Sequence, residues 1–188
     1  MEKKLSDMKI SGTGTISSGE YNEVKISGSA KIEVDIDCSY YKCSGSSTAN
    51  GNVKSKIIGI SGSTKICGNV DTEEMIVSGS SRIMGNVNTK KLKISGSSII
   101  EGSLHTENMK IKSGTGHFFI RMINLFSNYA KLVTGVIEGD DIYLENTVAK
   151  IVRGNNVTIG PNCDIEIVEY RDKVDVGENS KIICKKIS

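Results

Sequence analysis

The sequence has no tryptophan, a single proline (Pro161) and three phenylalanines among its 188 residues. It also has no apolar run long enough to span a membrane, since its most apolar window, Phe118 to Phe126, is short and contains Arg121 and Asn124. The charged start MEKKLSDMKI lacks the apolar core of a signal peptide. We therefore expect a soluble, cytoplasmic protein rather than an exported or membrane-spanning one.

The charge of the chain is almost balanced, with 24 lysines and arginines against 22 aspartates and glutamates and a formal net charge of +2. Such a chain lacks the excess positive charge with which proteins hold nucleic acid irrespective of its sequence. The composition therefore predicts no nucleic-acid partner.

The two histidines and five cysteines lack the spacing of a catalytic or metal site. The sequence places no serine, aspartate or cysteine partner beside His105, which is predicted to face outward, or beside His117. The cysteines are odd in number and without zinc spacing; they are Cys38, Cys43, Cys67, Cys163 and Cys184. We predict reduced thiols, with Cys43 in the core and Cys67 facing outward, and no catalytic residue, cofactor or metal.

One acidic group leaves two interpretations open. Asp140, Asp141 and Glu145 lie close together in the sequence. Three carboxylates of this kind can bind a cation, and they can equally form a solvated edge.

A five-residue motif recurs six times between Met8 and Asn108, each time ending in Ser-Gly. The successive glycines are separated by 16 residues once and then by 17 residues four times; they are Gly12, Gly28, Gly45, Gly62, Gly79 and Gly96. A fixed period of this length means that each copy is one structural unit stacked on its neighbours.

The pattern inside each unit is that of short strands. Apolar residues stand two and four positions before each marker glycine and four positions after it, and also eight positions after it from the second copy on, with mostly polar residues between them. Spacing by two is the strand period. A second glycine predicts a bend in four of the units, at Gly51, Gly68, Gly85 and Gly102. Because 17 residues are too few for a strand and a crossover helix, the fold class is all-β, a single-stranded parallel β-helix (β-solenoid) with ~17-residue coils of about three short strands.

The domain organisation follows from where the period holds. We expect residues 1–7 to be a short tail and residues 8–188 to be a single β-helix domain. Within it, three sections are predicted: regular repeats over 8–108, wider transitional coils over 109–135, and variant C-terminal coils over 136–188.

The transitional section leaves a second question open. It holds His117, Phe118 and Phe119 in an apolar stretch. One interpretation is a wider coil with Phe118, Ile120 and Met122 directed inward. The other is an exposed apolar patch used for association.

Two features of the chain stand out together. The first is the series of I-S-G-S and I-x-G-x-V units, and the second is the block E-G-D-D-I-Y-L-E-N-T-V-A-K-I-V-R-G-N-N-V-T-I-G-P-N-C-D-I-E-I-V-E-Y from Glu138 to Tyr170. In both, the chain resembles the bactofilins, and more closely the polymer-forming bactofilin-like cytosolic proteins of Gram-positive bacteria. The resemblance extends from Met8 to about Ile183.

The resemblance implies a right-handed parallel β-helix that assembles end to end into filaments without nucleotide. It implies a cytoskeletal scaffold with a role in cell shape, envelope organisation or motility, and a partner that is the chain itself or a paralogous bactofilin-like protein. Typical bactofilins also have Pro-rich tails and often an apolar membrane anchor. With one proline and a charged start, the resemblance does not extend to membrane association.

Two other functions stay open on the sequence alone. I-G-P-N-C at Ile159 looks like one turn of a hexapeptide-type acyltransferase, but a six-residue rhythm is not sustained and the period is near 17. The other alternative is a β-helical binding module for a glycan or a protein.

The two ends of the predicted β-helix are the candidate site. Each end of a solenoid exposes unpaired backbone groups and uncovered core side chains unless it is capped. The sequence shows no amphipathic capping helix at either end. We therefore predict a polymerisation interface formed by Met8, Ile10 and Ile16 of the first coil and by Val174, Val176 and Ile182 of the last.

Overall fold

The fold is known from a computed structural model that describes residues 5–17, 19–111, 131–178 and 180–187. The described residues form strands only: β1 (Ser6–Ile10), β2 (Thr13–Ile16), β3 (Gly19–Ile26), β4 (Ser29–Ile32), β5 (Ile36–Cys43), β6 (Ser46–Ala49), β7 (Val53–Ile60), β8 (Ser63–Ile66), β9 (Val70–Val77), β10 (Ser80–Ile83), β11 (Val87–Ile94), β12 (Ser97–Ile111), β13 (Leu132–Leu144), β14 (Thr147–Ile159), β15 (Asp164–Val176) and β16 (Lys181–Lys186). They join in one sheet that winds as a solenoid.

Every strand pairs in parallel with the equivalent strand of the next coil. Val24 pairs with Tyr41, which pairs with Ile58 and then Met75, always 17 residues further along the chain. The odd-numbered strands β1 to β11 stack on one another, and the short even-numbered strands β2 to β10 stack separately. The predicted fold class is thus confirmed as a parallel β-solenoid of about nine turns with ~17-residue coils.

Each regular coil has three straight segments, which we call faces 1, 2 and 3. The short strand, such as β10, forms face 1. The eight-residue strand that follows is bent, because its buried and exposed residues alternate except for two successive exposed residues, Lys90 and Lys91 in β11. Face 2 precedes this bend and face 3 follows it. Thr89 Oγ1 fastens the bend by donating to the carbonyl oxygen of Lys91 at 3.0 Å.

The core is a set of apolar columns that run along the solenoid. The inward residues are fully or nearly fully buried from Val24 to Val168. One coil holds a large side chain, Tyr41, and the same coil has the small Cys43 and Ala49 where its neighbours have isoleucine. Interiors pack to constant density, so the small residues provide the volume that the tyrosine ring occupies. The Tyr41 hydroxyl donates to Ser47 Oγ at 2.9 Å, and burial raises the pKa of Tyr41.

Close stacking of coils requires both the marker glycines and the second glycines. The sequence analysis explained the second glycines by the backbone bends that they allow, yet no described glycine has a positive φ, and a Cβ at Gly68 would lie 2.6 Å from Gly51 of the preceding coil. A Cβ added to Gly62 would likewise fall on the carbonyl oxygen of Gly45 in the preceding coil, and Gly79 stands in the same way over Gly62. A side chain at these positions would force two coils apart, and this explains why the period carries a glycine.

A column of asparagine side chains stabilises the corner between faces 1 and 2. The backbone N–H of Asn69 donates to Asn52 Oδ1 at 2.8 Å, and that of Asn86 donates to Asn69 Oδ1 at 2.8 Å. The column begins at Asp35, whose Oδ1 accepts from Asn52, and ends at Ser103, which donates to Asn86. Each corner therefore obtains its hydrogen bond from the coil before it, and backbone groups at the corner are not left unpaired.

The C-terminal coils keep the same faces with different turns. β12 to β15 run continuously from face 1 into face 2 and face 3, and residues 131–135 of β13's coil stack directly on β12. Asn146 and Asn162 form the corners before β14 and β15 with positive φ of 50° and 59°. Asparagine tolerates this left-handed conformation better than most residues do. The predicted wider coil around Phe118, Ile120 and Met122 lies outside the described residues.

Across the described residues, no helix is long and apolar enough to cross a membrane.

Candidate assembly interface

The N-terminal end of the solenoid is an open edge. β1 hydrogen-bonds only to β3, and β2 only to β4, so within the described part of the chain the other edge of each strand is unpaired. Met8 and Ile10 are half-buried and pack against the core. Unpaired strand edges with apolar side chains beside them are templates for a further strand.

One polar contact holds β1 in place on β3. Asn22 Nδ2 donates to Asp7 Oδ1 at 2.9 Å, and Lys9 Nζ lies 3.5 Å from Asp7 Oδ2. The hydrogen bond from Asn22, with the charge of Lys9, lowers the pKa of the Asp7 carboxyl. The edge strand is therefore positioned by an ionised side chain at neutral pH.

Gly12 shows that the N-terminal end has room for another coil. A Cβ added to Gly28 or to any later marker glycine would collide with the coil before it, whereas a Cβ added to Gly12 meets nothing within 4 Å. In the repeat, this Cβ points toward the preceding coil. Gly12 is therefore a glycine that the packing of its own chain does not require.

The C-terminal end is open in the same sense and more exposed. Val174 pairs with Val157 on one side only, and the described residues offer no strand on its other side. The exposed fraction is 45% for Val176 and 70% for Ile183, the largest among the exposed hydrophobic side chains described. Ile182 is half-buried against the core. Among the described residues, this end therefore presents apolar side chains that no further strand covers.

The six residues predicted from the sequence divide between these ends as follows. Met8 and Ile10 lie at the N-terminal end, and Val174, Val176 and Ile182 lie at the C-terminal end, each with some exposed surface. Ile16 is fully buried and lies beneath the first coil's surface. Their role in polymerisation stays a prediction.

The sequence reasoning missed Ile183, the most exposed apolar residue at the C-terminal end. Its register explains why, since Asp164 pairs with Lys181 but Ile167 pairs with Ile183, so β15 has one residue more than β16 in this interval. The alternation in K-I-I-C could not reveal this shift.

A ladder of charged side chains crosses the side of the C-terminal coils on face 2. Glu138 lies between His105 and Arg153, with His105 Nδ1 2.9 Å from Glu138 Oε2 and Arg153 Nη1 2.8 Å from Glu138 Oε1. Arg153 Nε also donates to Glu169 at 2.5 Å, and these carboxylates raise the pKa of Arg153, Glu169 more than Glu138. His105 faces outward, as predicted. Arg153 thus joins two carboxylates of neighbouring coils, and His105 contacts the first of them, so the ladder links four successive coils along the side of the solenoid.

The carboxylates of the acidic group also have hydrogen-bond partners within the chain. Asp140 and Asp141 accept from Asn155 and Asn156 at 2.8 and 2.9 Å, and Tyr143 donates to Glu145 at 2.6 Å. No group of three or more His, Cys, Asp or Glu side chains with the geometry of a metal site occurs among the described residues.

The five cysteines are free thiols. Cys43 is buried as predicted, and Cys67 is half-exposed. Burial raises the pKa of Cys38 and Cys163, so both are protonated and unreactive at neutral pH. Cys184 is exposed on β16.

Comparison with known proteins agrees with the resemblance noted in the sequence. Residues 46–117 match the model of the bactofilin family, described as polymer-forming cytoskeletal. An uncharacterized protein of Bacillus subtilis (strain 168), YhbF, is 52% identical over 52 residues, which are 28% of this chain and 22% of YhbF. A second uncharacterized protein of that strain, YhbE, is 64% identical over 39 residues, 21% of this chain and 16% of YhbE. The chain thus matches about a fifth of the length of these relatives, and no solved structure matches it significantly.

Proposed function

We propose that this chain is a non-enzymatic, bactofilin-like scaffold protein of the cytoplasm whose copies stack end to end into filaments without nucleotide. The proposal covers a single β-helix domain over residues 8–188 with a short tail before it. The bactofilin match over residues 46–117 supports a polymer-forming protein. The cellular role we propose is that of a cytoskeletal element in cell shape, envelope organisation or motility.

The observation that supports end-to-end stacking most strongly is that the described residues leave the strand edges at both ends of the solenoid unpaired. A coil added at either end gains backbone hydrogen bonds of the kind already made between coils, such as that from Ser29 N–H to the carbonyl oxygen of Gly12 at 2.8 Å. It also covers Met8 and Ile10 at one end, or Val176 and Ile183 at the other. Hydrogen bonds and apolar burial then act together, as they do within the solenoid.

A second copy need not be identical. YhbF and YhbE are two different proteins of one strain, and both resemble this chain. We therefore propose that a paralogous bactofilin-like chain is also able to add to the ends, because the stacking contacts are those of the shared repeat. Mixing two such chains and measuring co-sedimentation checks this part.

The test uses one charge at each end and a matched charge on the side wall. Ile10→Arg and Val176→Arg each place a cation where another coil would stack, and Ile76→Arg places the same cation on an outward isoleucine of face 3 that is 39% exposed. Electron microscopy of nucleotide-free protein should show filaments for the wild type and Ile76→Arg. Both end variants should remain short rods with an unchanged β-type circular dichroism spectrum. Normal filaments from both end variants would show that the ends are not the interface.

A further inference from the structure

The outward side chains of face 1 change from polar to apolar partway along the solenoid. The outward column of this face in the regular coils is polar, with Lys65 and Arg82, and becomes apolar in the next three coils with Ile99, Val133 and Val148. These three side chains are 37%, 38% and 40% exposed and stack directly on one another. Single exposed apolar residues are common on protein surfaces, but an apolar stripe on three successive coils indicates a contact surface.

A second outward column beside the stripe consists of Glu101, Gly135 and Lys150, each two residues after its stripe neighbour. The middle residue, Gly135, is not required by the chain's own packing, since a Cβ there meets nothing within 4 Å and its φ is not positive. Gly135 lies opposite the register shift between Ile100 and Ser103, and a glycine at such a bulge leaves the surface there open to close approach by another backbone.

The charges around the stripe are self-complementary. Suppose that two copies contact each other through face 1, with their solenoid axes running in opposite directions. They are then related by a twofold axis that lies between them and parallel to β13. This axis brings Ile99 of one copy opposite Val148 of the other, Val133 opposite its equivalent, and Glu101 opposite Lys150. One coil further out, Arg82 meets Asp164, since Arg82 pairs with Ile99 and Val148 pairs with Asp164 in the register.

Two of these charges, Arg82 and Glu101, form an ion pair with each other at 2.7 Å, and the other two have no ion-pair partner among the described residues. Within the described part of the molecule, Lys150 and Asp164 form no salt bridge. A partner placed by the twofold axis would supply one for each. A twofold axis shifted by one coil in either direction would place a charged residue against the apolar stripe. The arrangement of charged and apolar residues along face 1 therefore specifies this alignment of the two copies.

We propose that two copies of this chain lie side by side in antiparallel orientation through the stripe Ile99–Val133–Val148, with Val133 and Gly135 at the twofold axis. This lateral pairing is distinct from the end-to-end contact. Five coils spaced by ~4.8 Å, each about four residues wide, cover roughly 300 Å² per copy, below the ~800 Å² typical of a stable pair. The contact is therefore weak for two isolated copies and becomes strong when it is repeated along two filaments, a consequence that rests on the proposed function.

The test is cross-linking of engineered cysteines with a short bismaleimide, because two facing sheets lie about 10 Å apart, whereas a direct disulfide needs Cα atoms within about 7 Å. In a background with Cys67→Ser and Cys184→Ser, Val133→Cys is placed on the axis and should give a covalent dimer with this reagent. Lys65→Cys is the matched control, since it is outward on the same face but about six coils, or ~29 Å, from its equivalent in the pair. The yield of dimer should be several-fold higher for Val133→Cys than for Lys65→Cys.

A mixing experiment tests the antiparallel register. Ile99→Cys and Val148→Cys should give a mixed cross-linked dimer in excess of either self-linked dimer, since each lies about two coils from its own equivalent. Lys150→Glu should lower the yield of the Val133→Cys dimer, and adding Glu101→Lys should restore it. Equal dimer yields from Val133→Cys and Lys65→Cys would overturn the proposal. It would also be overturned if a maleimide failed to label the thiol at position 133 in dilute Val133→Cys protein, because the stripe would then not be exposed.

Repeating the cross-linking with Val176→Arg separates the two contacts. A Val133→Cys dimer that persists in this variant supports lateral pairing whatever the ends do. Filaments from the parent chain without any excess of the Val133→Cys dimer would refute the lateral pairing and leave the end-to-end proposal standing.

Discussion

Replacing a marker glycine by alanine should destabilise the solenoid far more than replacing a glycine whose added Cβ meets nothing within 4 Å. At Gly79 the new methyl group would fall on the carbonyl of Gly62 and 2.6 Å from the carbonyl carbon of Ser61. Two carbon atoms need about 3.5–4 Å, so the two coils must separate locally by roughly 1 Å.

The size of the effect follows from the hydrogen bonds at this turn. Ser78 N–H and Gly79 N–H donate to the carbonyl oxygen of Ile60 at 2.8 and 3.1 Å, and Ser80 N–H donates to that of Gly62 at 2.8 Å. Each such bond contributes about 1 kcal/mol, so losing two or three costs about 2–3 kcal/mol. That is a large part of the ~5–15 kcal/mol that stabilises a typical domain.

Gly59→Ala is the matched control. A Cβ at Gly59 meets nothing within 4 Å, and its φ is not positive. Alanine is a better strand residue than glycine, so this change should be neutral or stabilising by up to about 1 kcal/mol. Urea unfolding followed by far-ultraviolet circular dichroism compares the midpoints of the two variants. Equal midpoints would refute the account of why the repeat carries a glycine.

Three further predictions concern the corner, the core and the thiols. Asn69→Leu leaves Asn86 N–H without its acceptor and should cost about 1–2 kcal/mol in urea unfolding, whereas Asn69→Asp keeps an acceptor oxygen and should cost less; equal losses would contradict the ladder. Tyr41→Ala should cost about 3–5 kcal/mol, and Tyr41→Phe only about 1, with the larger value expected to fall when Ala49→Ile refills the space. Mass spectrometry after maleimide labelling at pH 7 should find Cys184 modified first and Cys38 and Cys163 last, because burial raises the pKa of both inner thiols; early labelling of either inner thiol would contradict their placement.

The stacking of coils was predictable because the fixed repeat length determines which residues of successive coils pair. An apolar residue at a fixed distance from each glycine can only pair with its equivalent 17 residues away, and Val24, Tyr41 and Ile58 do so. The asparagine column was missed, although G-N-V recurs at Gly51, Gly68 and Gly85, because a hydrogen bond between coils leaves no trace in hydrophobic periodicity.

The candidate site was predictable only in outline. The sequence indicates that a solenoid has two ends and which coils form them. It does not show that Ile16 is fully covered or that Ile183 is the most exposed, because both depend on how the last strands shift in register and on which side chains cover the first coil. Recognising the apolar stripe on face 1 requires the register of β12 with β13. The 17-residue period does not extend across residues 112–130, which separate these two strands, so the sequence did not provide that register.

The most direct test of end-to-end stacking is the length of nucleotide-free particles of Gly12→Leu, measured by negative-stain electron microscopy and light scattering. A Cβ added at Gly12 meets nothing within 4 Å, and the φ of Gly12 is not positive, so we expect the variant to fold normally. We expect long filaments for the wild type and, for the variant, particles no longer than two stacked rods of about nine coils, each roughly 43 Å long. If Gly12→Leu forms filaments as long as those of the wild type, stacking at the N-terminal end is contradicted. If the wild-type protein remains a single rod at high concentration, filament formation itself is contradicted.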